Sequence, residues 1–369
     1  MLKIEPRKNQ SNFLEVSAPV IAVILTMIFG GFLFLSMGKN PFEAIKLIFW
    51  DPIMSPTFSE YSRPQLVIKA APLILIALGL SFGFRANIWN IGAEGQYIMG
   101  ALFSGSIGLA LYPLDAWFIF PLMILGGIIG GVFWAMIPAI LKIKFNTNEI
   151  LVSLMLVYVA EQILALASVG FLRNPEGLGF PGSRDLSKYP SASNPELIAN
   201  SGIHVGVICS FLVVVFLTYF LTYHRLGFQI KLIGQAPKAA KFSGVNVNYI
   251  VIFCLGLSGG LAGIAGMFEL TGPAGLINID FNVGYGFTAI IVAFLGRLHP
   301  IGILFAGLLM SLTYVGGELA QFMLSIPAAA IQVFQGMLLF FLLSTDLLVS
   351  YKVSFTLGTN SSNPKKNSE

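Results

Sequence analysis

Uncharged apolar runs as long as a membrane is thick constrain this chain more than any other feature. Val16 to Met37, Gln96 to Leu114, Ala116 to Leu141 and Tyr249 to Phe268 contain no Asp, Glu, Lys or Arg. A helix rises about 1.5 Å per residue, so about 20 such residues cross roughly 30 Å of hydrocarbon. Six further windows are weaker, because they run short or hold an ionisable residue. They are Leu66 to Phe84 with Lys69, Glu149 to Phe171 with Glu161, Ile203 to Tyr223 with His204, Gly284 to Leu295, Ile301 to Ala320, and Ala328 to Val349. With 56% hydrophobic and 10% charged residues, the chain holds more apolar side chain than one water-surrounded core could bury. The runs are continuously apolar, whereas barrel strands alternate with period two, so helices must satisfy the backbone in lipid. The expected fold is all-α: a polytopic membrane protein of about ten transmembrane helices. The first run follows Lys3, Arg7 and Lys8 but is long and lacks a small-x-small cleavage site, so it reads as a retained span.

Topology accounts for the net charge of +4 better than a nucleic-acid partner does. With a cytoplasmic N-terminus and alternating spans, fourteen of the 21 Lys and Arg residues fall inside and seven outside, as the positive-inside rule requires. Both termini are then cytoplasmic. The expected organisation is a cytoplasmic N-terminus over 1–15, a transmembrane domain over 16–350, and a disordered cytoplasmic tail over 351–369. Within the domain, 172–202 is an external loop dense in turn formers such as Asn174-Pro175 and Pro181-Gly182, and 224–248 is a cytoplasmic loop. The external loop is either a plain connector or a docking platform. Cys209 and Cys254 both lie within spans and read as inert packing residues.

Leu78-Gly79-Leu80-Ser81 in the second span recurs as Leu255-Gly256-Leu257-Ser258 in the seventh, five spans later and so in opposite orientation. Inverted repeats are common in transporters, but in a chain so rich in Leu and Gly the echo leaves repeat and chance both open. Glycines four apart, Gly127 with Gly131 and Gly259 with Gly263 among them, suit close helix packing.

No phosphate-binding G-x-x-x-x-G-K-[ST], H-E-x-x-H or C-x-x-C is present, and the three histidines are scattered. Enzymatic chemistry and a metal site therefore have no support. Glu161, Glu269 and Glu318 lie within spans, isolated and unmatched by Lys or Arg at the bilayer centre. They are what a stand-alone ion-coupled secondary transporter would offer. Glu149, by contrast, follows Asn146-Thr147-Asn148 as the first turn of a capped helix, where a carboxylate favours the dipole.

Two polar stretches stand out. Arg85 to Gln96 is glycine-punctuated and lodged between apolar spans, either a cytoplasmic turn or a broken backbone lining a pathway, with Asn90, Glu94 and Gln96 as candidate polar groups. Leu226 to Val245 contains Pro237, suited to the first turn of a helix, and Gly244, suited to its end. The short helix between them carries Ala239 and Ala240 as a small face for a groove on another protein, or lysines for anionic headgroups.

At these residues the sequence resembles a known family. Gly234 and Pro237-Lys238-Ala239-Ala240 through Gly244 are similar to the coupling segment of permeases in ATP-binding-cassette importers of branched-chain amino acids, ribose and nucleosides. Trp89-Asn90-Ile91-Gly92-Ala93-Glu94-Gly95-Gln96 resembles a string of the simple-sugar and nucleoside branch. Gly284-Tyr285-Gly286-Phe287, Leu295-Gly296-Arg297 and Asn148-Glu149-Ile150 extend the likeness over roughly residues 65 to 350. The resemblance implies a non-enzymatic permease subunit in a bacterial cytoplasmic (inner) membrane. Its implied partners are a cytoplasmic ATPase that binds ATP and Mg, a second permease in a heterodimer, and an external solute-binding lipoprotein. Gly234, Pro237, Ala239, Ala240 and Gly244 would then form the ATPase-coupling site. The solute implied is a nucleoside or simple sugar; the extra first span and its long external loop favour the nucleoside branch.

Overall fold

The computed structural model describes residues 2–6, 12–198 and 201–355. Its helices are α1 (Asn12–Ser36), α2 (Pro41–Phe49), α3 (Asp51–Met54), α4 (Ser59–Arg85), α5 (Ala93–Ala110), α6 (Ile119–Phe145), α7 (Glu149–Val169), α8 (Val205–Tyr223), α9 (Arg225–Gln235), α10 (Pro237–Phe242), α11 (Val247–Thr271), α12 (Tyr285–Leu295), α13 (Pro300–Leu324) and α14 (Ala328–Ser350). Each of the ten apolar windows coincides with a helix. Eight are long and apolar enough to cross a membrane; the other two windows are α5, which carries more polar residues, and α12, which is only 11 residues long. The chain is an all-α polytopic membrane protein. Short strands β1 (Leu2–Pro6) and β2 (Tyr351–Phe355) pair antiparallel, so the expected disordered tail begins instead with a strand, and residues 356–369 lie outside the described residues.

Two compact units divide the chain. One joins Met1–Ile45 to Ile326–Glu369. Within it α1 packs on α14 through aromatic rings, with Phe34 stacked on Phe334 at 5.8 Å and Phe29 against Phe341 at 4.9 Å. Thr345 Oγ1 adds a 3.3 Å hydrogen bond to the Ala18 carbonyl.

The other unit, Lys46–Ser325, is built around α4 and α11, the most buried of the eight long apolar helices. Gly79 of α4 lies against Ser258 of α11, where a Cβ would come within 2.8 Å of the Ser258 Cα. One turn further along α4, the Phe82 carbonyl meets Cys254 Sγ at 3.7 Å. Residue numbers thus rise on one helix as they fall on the other, so the two are antiparallel, and the sequence echo Leu78–Ser81 and Leu255–Ser258 sits at their crossing. The surrounding packing is exchanged in the same sense. Helix α11 packs on α5 and α6, which follow α4, while α4 packs on α12 and α13, which follow α11. This exchange is the pattern an inverted repeat relating α4–α6 to α11–α13 would give. Close approach of α6 to α11 requires glycine: a Cβ on Gly131 or Gly263 would strike the opposing backbone.

Candidate functional site

Both central helices end in a break before the next helix begins. After α4 the chain turns through Asn87, which has a left-handed φ of 57°, and enters α5 at Ala93. Asn90 holds this break. Its Nδ2 donates to Gln96 Oε1 at 2.9 Å and Ser258 Oγ at 2.9 Å, while its Oδ1 accepts from Gln96 Nε2 at 3.1 Å and the Gly92 amide at 3.0 Å. An amide side chain has two donors and two lone pairs, and all four are used. Ser153 of α7 accepts the Ile91 amide at 3.2 Å. The Trp89 amide reaches Glu149 Oε1 at 3.4 Å, and Glu149 is also paired with Lys142. Asn148 caps α7 through the Ile150 amide, as its position before Glu149 suggested.

Glu94, in the first turn of α5, is wholly buried and belongs to the second break. Its carboxylate accepts the amides of Gly284 at 3.2 Å, Phe287 at 3.3 Å and, closer still, Gly286. These are the free N–H groups at the start of α12, whose cap position, Gly284, has no side chain to satisfy them. A carboxylate there also complements the positive end of the helix dipole. Asn90 and Gln96 are therefore brought together while Glu94 is turned to the other break, and all three are buried.

A polar and aromatic seam adjoins Glu94. Tyr97 stacks on Phe281 at 5.3 Å and meets Tyr285 edge-on at 6.0 Å; Tyr285 lies 5.8 Å from Tyr314, whose hydroxyl is 2.8 Å from Thr288 Oγ1. The Tyr97 hydroxyl is buried with no hydrogen-bond partner. Glu161 accepts from Asn282 Nδ2 at 2.8 Å. Glu318 is ion-paired with Lys69, which corrects the expectation that it is unmatched: the partners are 249 residues apart and meet only because α4 packs on α13. Sequence reasoning missed Tyr97, Tyr285 and Tyr314 because nothing separates them from the other aromatics until the chain is folded.

On the loop after α8, Pro237 opens α10 and Gly244, with φ of 78°, ends it, as expected. The proposed small face is split, however. Ala239 is exposed, whereas Ala240 is buried in the protein's own structure. Pro237, Lys238, Lys241 and Phe242 are exposed beside Ala239, Phe242 at 94%. Gly234 points inward too: a Cβ there would collide with the Arg85 carbonyl at the end of α4. Arg85 in turn donates through Nε to the Leu298 carbonyl at 3.0 Å, in the turn after α12. The loop is thus joined to the inner ends of both α4 and α12. Among the described residues no cluster of three or more His, Cys, Asp or Glu side chains could hold a metal ion.

Residues 62–343 match the family model described as the permease component of branched-chain amino acid transport systems. The chain belongs to this permease family. Among its relatives is the glucose ABC transporter permease of Haloferax volcanii, 30% identical over 95% of this chain and 93% of that one. A nucleoside ABC transporter permease of Lactococcus lactis subsp. cremoris is 28% identical over 82% of this chain and 84% of its own length. A guanosine ABC transporter permease of Bacillus subtilis is 25% identical over 92% and 95% respectively. No solved structure matches the chain. This permease is the membrane-spanning subunit of an ABC importer, a multi-pass protein that leaves ATP hydrolysis to a separate subunit.

Proposed function

We propose that this permease forms half of the pathway for an uncharged nucleoside or simple sugar and is driven through α10 by a cytoplasmic ATPase that binds ATP and Mg. The second half is a different permease chain, and an external lipoprotein delivers the solute to the 172–202 segment. The observation that carries the reading is the exposed face of α10, Pro237, Ala239 and Phe242, on a loop whose Gly234 is wedged against the end of α4. A push on α10 is then felt at Arg85, next to the break that Asn90 and Gln96 hold and that leads into Glu94 and the cap of α12. Gly244 sets the end of α10, and buried Ala240 fixes which side of it faces outward.

The Lys69–Glu318 pair supports a pathway on the α4–α13 side. Both residues lie inside spanning helices, yet the Glu318 side chain is 59% exposed in the single chain. Charges so placed are costly against lipid, so this face suits water or the second permease. The aromatic seam behind it, with Tyr285, Tyr314 and Thr288, offers the stacking and hydroxyl contacts an uncharged ring solute needs.

Reconstitution with the ATPase, second permease and binding protein in liposomes tests the reading. ATP-driven uptake should require all four components. Ala239→Trp, on the exposed face, should abolish uptake while leaving insertion and thermal stability unchanged; Gly234→Val should uncouple uptake and also lower stability. Uptake that follows an ion gradient and ignores the ATPase would overturn it in favour of a stand-alone carrier.

A further inference from the structure

Far from α10 lies a recess of about 350 Å³ between the start of α4, the segment before α8 and the end of α11. Gln65, Ser187, Asn194, Glu196, His204 and Thr271 are among its lining residues, with Ser193 beside them and no Lys or Arg. None of these residues has a part in the breaks or in α10. The volume lies in the range of small-molecule sites.

One backbone and one side-chain contact to His204 fix the chemistry of this recess. His204 is the N-cap of α8, and its Nδ1 accepts the Gly206 amide at 3.2 Å. A backbone amide can only donate, so Nδ1 is unprotonated and Nε2 carries the hydrogen. Asn194 approaches the same Nδ1 at 2.9 Å, and because that nitrogen is an acceptor it must be the Asn194 Nδ2 that faces it. The amide orientation is thereby set, and Asn194 Oδ1 is left buried with no hydrogen-bond partner. The loop is held rigidly: the Asn194 amide donates to the Thr271 carbonyl at 2.9 Å, the Leu197 amide to Ile203 at 2.7 Å and the Val205 amide to Pro195 at 3.3 Å. Burial lowers the His204 imidazole from its usual 6.5 to about 4, so the ring is neutral near pH 7. A buried acceptor without a donor costs roughly 1–3 kcal/mol, which a ligand can relieve.

We propose that this recess is a binding site for an uncharged polyhydroxylated solute, one hydroxyl of which donates to Asn194 Oδ1 while a different hydroxyl accepts from His204 Nε2–H. A hydroxyl is the neutral group that is donor and acceptor at once, so neighbouring hydroxyls of one solute answer an unpaired acceptor and an unpaired donor without a charge. The absence of Lys and Arg from the lining disfavours an anionic solute. Ser187, Ser193 and Gln65 offer further hydrogen bonds around a ring. The site deepens the permease reading and rests on it for the solute class: it would hold the solute at the outer face before the pathway opens.

The test titrates the purified full-length chain in lipid nanodiscs with D-glucose and with guanosine, following contact by saturation-transfer NMR. One of these probes should bind. Asn194→Ala should weaken it about tenfold, the usual effect of losing one hydrogen bond to a neutral group. Ser193→Tyr, at a half-exposed position of the lining, should abolish binding by filling the recess, with thermal unfolding unchanged. Failure of both probes to bind, or binding that Ser193→Tyr leaves intact, overturns the site. The same variants in the four-component transporter separate the two readings. ATP-driven uptake of a probe without binding at the recess sinks the site and leaves the permease reading standing. Recess binding without ATP-driven uptake upholds the site and sinks that reading for the probe.

Discussion

The breaks after α4 and after α11 occupy equivalent places in the repeat, but they are held together in opposite ways. The first is short and largely self-bonded: Asn90, Gln96 and Gly92 satisfy one another, while Ser153, Ser258 and Glu149 add single contacts from other helices. The second runs over 272–284, and Gly284 at the N-cap of α12 has no side chain to cap the helix; within the break only Asn282 Oδ1 helps, accepting the Gly284 amide at 3.3 Å. It borrows Glu94 from the first half of the repeat, and Asn282 ties it to Glu161 of α7. One repeat is therefore closed and the other depends on its partner. A segment that relies on distant groups for its hydrogen bonds can be released by moving those groups, whereas a self-bonded knot moves as a rigid body.

The largest expected effect follows from cutting that dependence. Glu94→Ala removes the carboxylate that accepts the Gly286 and Phe287 amides at the start of α12 and leaves the Gly284 amide only Asn282 Oδ1, so the loss of stability should be about 3 kcal/mol, with uptake lost. Unfolding of the purified chain in detergent measures it; a change below about 1 kcal/mol would show that α12 does not need the borrowed cap. Asn90→Ala should do less, about 1–3 kcal/mol, because Gln96 and Ser258 can turn toward each other once the amide is gone. If it proved the more damaging of the two, the comparison between the breaks would be inverted.

The smallest effect is one of pH, at the outer end of the second break, where His204 lies beside Gly272. The folded protein holds His204 at about 4 against 6.5 in the unfolded chain. Between those values the unfolded state takes up a proton that the folded state refuses, so this contribution to stability is full above about 6.5 and falls as pH drops toward about 4. Thermal unfolding from pH 7.5 to pH 5 should show the decline. His204→Asn keeps a capping side chain and should flatten the slope; an unchanged slope would mean that other groups set it.

Much of this was legible in the residues. Apolar runs, four of them long and uncharged, located ten helices, since hydrocarbon thickness is a constraint that sequence meets locally. Asn148 before Glu149 marked the start of α7, and Pro237 and Gly244 bounded α10, because caps and turn residues act within a few positions. The grouping of Asn90, Glu94 and Gln96 was visible as a polar stretch, but its division of labour was not. Nothing near Glu94 in sequence announces that its partners are almost two hundred residues away. The same holds for Lys69 with Glu318, and for the inward turn of Ala240 and Gly234, which a small-residue pattern could not distinguish from an outward one.

Sequence alone determined that the chain must live in lipid, roughly where its ten apolar helices lie, and which short helix stands apart from the spans, because each depends on solvent transfer and hydrogen bonds over a few residues. Tertiary structure decided which polar groups meet. Buried donors and acceptors must be matched wherever packing brings them, and the packing of α4, α5, α11 and α12 joins groups whose separation along the chain carries no local signal.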